Sequence, residues 1–167
     1  LIISETDSKL RYDKAAKYLL SDVRILARIL HSFVPEFMEC DIKDIEERYV
    51  EKASVSVSRT GVADISGQYD PALMSGEDTG FNEADIFYDI VFRAVYPDSD
   101  GGEIGLYINI EAQNDIYPGY PLEMRAVYYC ARLLCSQRKT VSREINYGWL
   151  KKACSIWLCF DSPMKDA

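Results

Sequence analysis

Two carboxylates and one amide occupy positions where two neighbouring β-strands would bring their side chains together. The segment EIGLYINIEAQ, residues 103–113, alternates aliphatic residues with other types, which predicts a strand with Glu111 and Gln113 on one face. The preceding DIFYDIVFRAVY is rich in β-branched and aromatic residues, and the intervening PDSDGG is typical of a turn. In a hairpin centred near Asp100, Asp89 and Glu111 are equally far from the turn. The sequence therefore predicts that Asp89 lies directly opposite Glu111.

The chemistry that such a pair of carboxylates could support is metal-dependent hydrolysis. Directly opposed side chains in an antiparallel pair have Cβ atoms about 5 Å apart, a distance at which two like charges repel each other. A divalent cation such as Mg²⁺ or Mn²⁺ prefers oxygen ligands and would remove that repulsion. The same ion would activate a bound water and neutralise charge on a phosphodiester. Gln113 could help to orient the water, but its amide cannot act as a base.

Helices are predicted on the N-terminal side of this hairpin. From Tyr12 to Val34 apolar residues recur at three- and four-residue steps, which indicates an amphipathic helix. The dipeptide Ser21–Asp22 favours an interruption, since both residues are good N-caps, and Pro35 ends the segment. A short helical stretch is predicted from Ile42 to Tyr49. The alternation in EKASVSVSR then predicts a strand over residues 53–57.

The remaining segments complete a single α/β domain over residues 1–167. Residues 59–84 are rich in glycine and polar residues without a period, which predicts a long loop or insertion. Pro121 favours the start of a helix that runs to about Gln137. The near-continuous apolar run from Ala153 to Phe160 predicts a last strand that is buried on both faces. The predicted core side of the helix comprises Leu122, Ala126, Val127, Cys130, Leu133 and Leu134.

These residues carry a family resemblance. The pattern D89-x21-E111-A-Q113, followed by a helix with RAVYY, resembles the PD-(D/E)XK nuclease superfamily, and INIEAQ with RAVYY resembles its transposase-associated, recombination-promoting (Rpn-like) group. The resemblance implies a restriction-endonuclease-like αβββαβ core, with a mixed central sheet flanked by helices, and Mg²⁺-dependent DNA cleavage. It further implies that Asp89, Glu111 and the backbone carbonyl of Ala112 hold the metal. Gln113 replaces the lysine of the superfamily, so the group that activates water stays open.

The helix after the hairpin supplies candidate contacts to the substrate. Arg125, Tyr129, Arg132 and Ser136 fall on one helical face and could contact phosphate oxygens, with an ordinary polar helix face as the alternative. Arg125 is favoured as functional because it belongs to the motif.

Other polar and aromatic residues are interpreted structurally. Asp13 is expected to cap a helix, with a role as an extra acid at the site as the alternative. His31, the only histidine, is expected to be structural. Tyr117 and Tyr120 could stack on bases, although packing explains these tyrosines at least as well.

Composition limits the environment and the partners. The net charge of −8 is unusual for a nucleic-acid-binding protein, but residues 60–115 hold 12 acids and one base, whereas residues 116–160 hold 7 bases and 2 acids. The five cysteines show no C-x-x-C spacing and are expected to be reduced, buried apolar side chains. No apolar run approaches the roughly 20 residues that cross a bilayer. We therefore expect a cytoplasmic protein with no membrane partner.

Two functions are compatible with these features. The first is a metal-dependent DNA endonuclease, linked by the resemblance to mobile elements or recombination. The second is a catalytically degenerate module with the same fold that binds nucleic acid or protein, which the negative charge and the missing lysine favour. Cleavage of both strands of a duplex would need two active sites, which favours a homodimer.

Overall fold

The protein combines N-terminal helices with a four-stranded mixed sheet. A computed structural model of the chain describes residues 5–57, 88–97, 103–115, 118–137 and 147–161. The described elements follow the order helices, three strands, helix, strand, which confirms the mixed α/β class. They are α1 (Glu5–Leu20), α2 (Val23–Phe33), α3 (Ile42–Asp44), a π-helical turn (Ile45–Tyr49), β1 (Ser56–Val57), β2 (Ile90–Pro97), β3 (Glu103–Asp115), α4 (Leu122–Ser136) and β4 (Lys152–Asp161).

The interruption predicted in the first helical segment is confirmed. Asp22 is the N-cap of α2, and its Oδ1 accepts a hydrogen bond of 2.9 Å from the backbone N–H of Arg24. This bond satisfies one of the N–H groups that a helix leaves unpaired at its first turn. Helix α2 then buries Leu26, Ala27 and Leu30 against the sheet. The break thus separates two helices that both contribute to one core, α1 through Leu20.

The hairpin register is also confirmed. Strands β2 and β3 are antiparallel, and Ile90 is paired with Ile110, as a turn centred near Asp100 requires. The sheet order is β1-β2-β3-β4, with β4 parallel to β3 and Trp157 beside Glu111. Because the two strands of the hairpin and β4 share one sheet, side chains from all three meet on the face that carries Glu111.

Two strand predictions are wrong in part. The first strand is shorter than residues 53–57, because Lys52–Ser54 form a 3₁₀ turn in which Ser54 Oγ accepts the N–H of Arg93 at 2.8 Å. This side-chain bond takes the place of a ladder bond. The last strand exists but is not buried on both faces, since β4 lies at the edge of the described sheet and Phe160 is exposed.

Both faces of the central hairpin are covered. On one face Leu106, Ile108 and Ile110 of β3 belong to a core that also contains the α2 side chains. On the other face a smaller cluster joins Val91 and Tyr88 to α4 and to β4. The face of Glu111 is therefore not a solvent-facing sheet surface. The smaller cluster consists of Tyr88, Val91, Tyr129 and Leu133, with Ala153 and Trp157 packed against it.

Helix α4 is rotated relative to the expected orientation. Leu133 is buried as predicted, but Val127 and Leu134 are 62% and 37% exposed, so their placement in the core is wrong. Tyr129 is buried instead. The reason is that the polar side of the helix turns towards the sheet, where the guanidinium of Arg125 lies 5.1 Å from the centre of the Trp157 ring.

This orientation makes a direct prediction for stability. Leu133→Ala is expected to lower the free energy of unfolding by about 2–5 kcal/mol, because it removes a fully buried side chain and leaves a cavity. Val127→Ala on the exposed side of α4 should change it by less than about 0.5 kcal/mol. Urea denaturation of both variants checks the result. Equal losses would show that α4 has the other orientation.

Three further expectations concern the chain as a whole. The insertion predicted at residues 59–84 lies outside the described residues. No described helix is long and apolar enough to cross a membrane. All five cysteines have free thiols, but Cys135 and Cys159 are exposed, so the expectation that every cysteine is buried is wrong.

Candidate active site

Asp89 and Glu111 lie together at the start of β2. Asp89 immediately precedes β2, and its backbone N–H donates to Glu111 Oε1 at 3.0 Å. In return, Asp89 Oδ2 accepts the backbone N–H of Ala112 at 3.0 Å. Glu111 is only 4% exposed. Each carboxylate is thus fixed by the backbone beside the other, on the side of the sheet that strand alternation predicts.

The electrostatics of Glu111 reflect this crowding. Burial, together with the negative charge of Asp89, raises the pKa of Glu111 to about 7. Hydrogen bonds from Asp89 and Asn109 and the positive charge of Arg125 act in the opposite direction without cancelling the effect. A positive ion beside the pair would relieve the same repulsion that a proton on Glu111 relieves.

Lys17 of α1 belongs to the site, although it was not among the residues predicted from the sequence. Its Nζ lies 3.0 Å from Asp89 Oδ1 and 3.0 Å from Asp13 Oδ2, and the residue is 6% exposed. Burial opposes the charge, but the hydrogen bonds to Asp89 and Asp13 outweigh it and raise the pKa of Lys17 above its usual value. The sequence contained one indication of its burial. Lys17 lies three residues before the apolar Leu20 and therefore on the same side of α1 as this core residue.

Asp13 has a different place from the one expected. Helix α1 begins at Glu5, so Asp13 lies inside the helix and the interpretation as a cap is wrong. Its carboxylate binds Lys17 one turn further along the helix. Asp13 therefore acts on the candidate site through Lys17.

A chain of side-chain hydrogen bonds extends the site across β4. Asn109, which is fully buried, donates from Nδ2 to Glu111 Oε1 at 2.7 Å. Its Oδ1 accepts from Ser155 Oγ at 2.6 Å, and Ser155 Oγ accepts from Trp157 Nε1 at 2.9 Å. Strand alternation places Asn109 on the face of Glu111, but Ser155 and Trp157 could not be assigned without the parallel register of β4. The chain holds Glu111 in one orientation.

Arg125 lies beside this network. Its Nε and Nη2 donate to Tyr129 Oη at 3.0 and 2.6 Å, and its Nη1 donates to Tyr120 Oη at 2.9 Å. Its positive charge opposes the rise in the pKa of Glu111 that burial and Asp89 cause, without cancelling it. Burial raises the pKa of the Tyr129 hydroxyl. Arg125 and Tyr129 thus form one unit near the carboxylates.

Arg132 and Gln113, the other predicted residues, lie further from the carboxylate pair along their elements. Arg132 is half-buried on α4, seven residues and so about two helical turns beyond Arg125. Gln113 follows Glu111 by two residues in β3, is half-buried and pairs with Cys159 of β4. The alternation of a strand directs it to the same face as Glu111. Their functional roles stay predictions.

An open groove adjoins the hydrogen-bond chain. Its volume is about 910 Å³ and its lining is mostly apolar. Trp157 and Ser155 line it and also belong to the chain that ends at Glu111. The groove therefore shares two side chains with this chain of hydrogen bonds, whereas Asp89 and Glu111 are not among its lining residues. Its lining residues are Gly119, Tyr120, Pro121, Leu122, Glu123, Ala126, Ser155, Trp157 and Cys159.

The donor set is compatible with a hard divalent cation. Mg²⁺ is commonly bound by one or two carboxylates and completes its coordination with water, which matches Asp89 and Glu111. Within the part of the chain that the structure describes, no group of three or more His, Cys, Asp or Glu side chains is arranged to hold an ion. A metal here would thus depend on two carboxylates, backbone oxygen and water. A role for the Ala112 carbonyl stays a prediction.

The fold and the site define a mixed α/β protein with a buried glutamate and a half-buried aspartate side by side, near a mostly apolar groove. Comparison of the chain with protein-family models, with curated proteins and with solved structures gives no match.

Proposed function

We propose that the chain is a Mg²⁺- or Mn²⁺-dependent DNA endonuclease of the PD-(D/E)XK type. The observation that carries the proposal is the pair Asp89 and Glu111, fixed side by side by reciprocal bonds to backbone N–H groups. Lys17 offsets the charge of Asp89, but burial and the remaining repulsion still raise the pKa of Glu111, so a further cation beside the pair would be stabilising. A divalent ion would supply both a bound water of lowered pKa and charge neutralisation at a phosphate.

The residues of the chain would divide the remaining work. Asp89 and Glu111 hold the ion, and Asn109 keeps Glu111 oriented. Gln113 can accept a hydrogen bond from water and donate one to phosphate, because its amide has both kinds of group. Lys17 places a fixed positive charge beside Asp89.

The groove offers a place for the substrate strand. Tyr120 and Trp157 line it, and aromatic rings stack on nucleobases. Arg125 is held against both residues, by a hydrogen bond to Tyr120 Oη and by a cation–π contact with Trp157 at 5.1 Å. A guanidinium in this place suits a phosphate oxygen next to a base bound in the groove. A base in the groove would then lie beside Trp157, the residue of β4 that is paired with Glu111.

Plasmid cleavage tests the proposal. Supercoiled DNA incubated with the protein and Mg²⁺ or Mn²⁺ should be nicked, and EDTA should stop the reaction. Asp89→Asn should lose the activity, whereas Asp44→Asn, which changes a partly exposed aspartate paired with Arg48, should keep it. Loss of activity in both variants, or in neither, would contradict the assigned site.

The type of product tests the proposed homodimer. Two sites acting together would give linear DNA at early times, because both strands are cut in one encounter. A monomer would accumulate nicked circles first. Sedimentation of the free protein and of its DNA complex should show two copies if linear product dominates.

A catalytically degenerate binding module is the second candidate. Lys17 already neutralises Asp89, and the protein's own N–H groups bind Glu111 Oε1 twice. Such internal pairing favours a site that no longer needs a metal. This candidate predicts that an oligonucleotide binds with the same affinity in EDTA and in Mg²⁺ and is never cut.

Arg125 provides a separate prediction about substrate binding. Arg125→Ala should weaken DNA binding by about 5- to 150-fold, in line with the 1–3 kcal/mol expected of one strong contact. It should also make the slope of log affinity against log salt concentration less steep, by about the amount expected for one phosphate contact. Arg125→Lys keeps the charge but cannot stack on Trp157 in the same way, so it should recover only part of the affinity. Fluorescence anisotropy at several salt concentrations measures both effects, and an unchanged salt dependence would assign Arg125 to packing alone.

A further inference from the structure

Lys17 binds a carboxylate oxygen of Asp89 that a site for two metal ions would use. In a two-metal site the ions lie about 3.5–4 Å apart, and a shared carboxylate offers one oxygen to each ion. Here Asp89 Oδ1 faces the ammonium group of Lys17 at 3.0 Å, and Asp89 Oδ2 accepts the N–H of Ala112 at 3.0 Å. The first ion can share Oδ2 with a neutral N–H, because a carboxylate oxygen has two lone pairs. A second ion on Oδ1 would either meet the positive charge of Lys17 at close range or displace Lys17 from a position where it is almost fully buried.

We infer that the site binds one divalent cation and that Lys17 supplies the second positive centre. The inference rests on the proposed metal site. It states how many ions the site binds. It also assigns a role to Lys17 of helix α1, which was not among the residues predicted from the sequence. Lys17 would then stand in for a second ion, with its ammonium beside the carboxylate that both would otherwise share.

The charges around Lys17 agree with this stoichiometry. Asp13, Asp89 and Glu111 carry three negative charges when ionised, and Lys17 with one divalent ion carries three positive charges. A second divalent ion would leave an excess of two positive charges if Lys17 stayed and of one if Lys17 were displaced, and either excess is costly in a largely buried site. The nearby charge of Arg125 is then available to balance a phosphate.

Asp13 is the residue that keeps Lys17 in place. It binds the same ammonium from the preceding turn of α1, so Lys17 is held between two carboxylates. A lysine with a single exposed partner would be displaced easily, because a surface ion pair contributes little. The double pairing of a buried ammonium explains why an incoming ion would bind beside Lys17 and not in its place.

Metal titration of the intact protein tests the inference. Calorimetry with Mn²⁺ should show one bound ion per chain, and this binding should disappear in Asp89→Asn. The loss distinguishes the proposed site from weak Mn²⁺ binding elsewhere on an acidic protein. Electron paramagnetic resonance should show an uncoupled Mn²⁺ signal. In Lys17→Met the first ion should bind at least about tenfold more tightly because a nearby positive charge is gone, and a second ion should enter. Lys14→Met, which changes an exposed lysine of the same helix, should behave like the unaltered protein.

The outcomes separate this inference from the proposed function. Two coupled ions in the unaltered protein would overturn the inference and leave the nuclease proposal standing. One ion without DNA cleavage would support the inference and count against the nuclease. If Asp89→Asn binds as many ions as the unaltered protein, both the inference and the proposed nuclease site are overturned. Lys17→Met leaves Asp13 and Asp89 without their buried partner and can fail to fold, in which case the stoichiometry of the unaltered protein decides.

Discussion

Glu111→Gln is expected to reduce Mg²⁺-dependent DNA cleavage by at least about a thousandfold, the scale of losing a group that stabilises the transition state. Glutamine has nearly the same shape, and its side-chain oxygen can still accept the N–H of Asp89 and the amide of Asn109. It cannot supply the negative charge that holds a divalent cation. The measurement is single-turnover cleavage at saturating protein.

The matched control for this variant is Glu47→Gln, which makes the same chemical change at an exposed glutamate of the π-helical turn. It should cleave at the rate of the unaltered protein. If Glu111→Gln retains cleavage within a fewfold of Glu47→Gln, the observed activity comes from another part of the molecule.

The second large effect concerns stability as a function of pH in the absence of metal. Burial and the charge of Asp89 raise the pKa of Glu111 from 4.5 to about 7, so the folded protein holds a proton that the unfolded chain releases. The stability linked to that proton is fully present below about pH 4.5 and is lost as the pH rises through 7. Between about pH 5 and 8 the free energy of unfolding should fall by about 2–3 kcal/mol.

The same Gln substitution isolates this contribution. Glu111→Gln has no proton to lose at this position, so its free energy of unfolding should stay flatter over the same pH range. Urea denaturation of both proteins in EDTA gives the difference at each pH. Parallel curves for the two proteins would show that Glu111 titrates normally and that the carboxylates are not forced together.

The hairpin shows what the sequence can predict well. Strand alternation and a single turn are local signals, and together they predict the pairing of β2 with β3 that brings Asp89 next to Glu111. The cap at Asp22 is equally local, because its side chain binds an N–H only two residues away. Such features depend on few residues that are close in the sequence.

The incorrect predictions depend on tertiary contacts. The apolar residues of α4 predicted one buried side, but stacking of Arg125 on Trp157 and burial of Tyr129 rotate the helix so that Val127 is exposed. The cation of the site, Lys17, is separated from Asp89 by 72 residues, so the spacing around the hairpin gives no information about it. Likewise, Ser155 meets Asn109 only because β4 runs parallel to β3.

The most direct test of the proposed metal site is the anomalous diffraction of crystals grown with Mn²⁺. We expect one strong peak within about 2.0–2.3 Å of a carboxylate oxygen of Asp89 and of Glu111, as is usual for a hard cation bound by oxygen. The same peak should be absent from crystals of Glu111→Gln. Strong Mn²⁺ peaks elsewhere with none between these two carboxylates would contradict the proposed site.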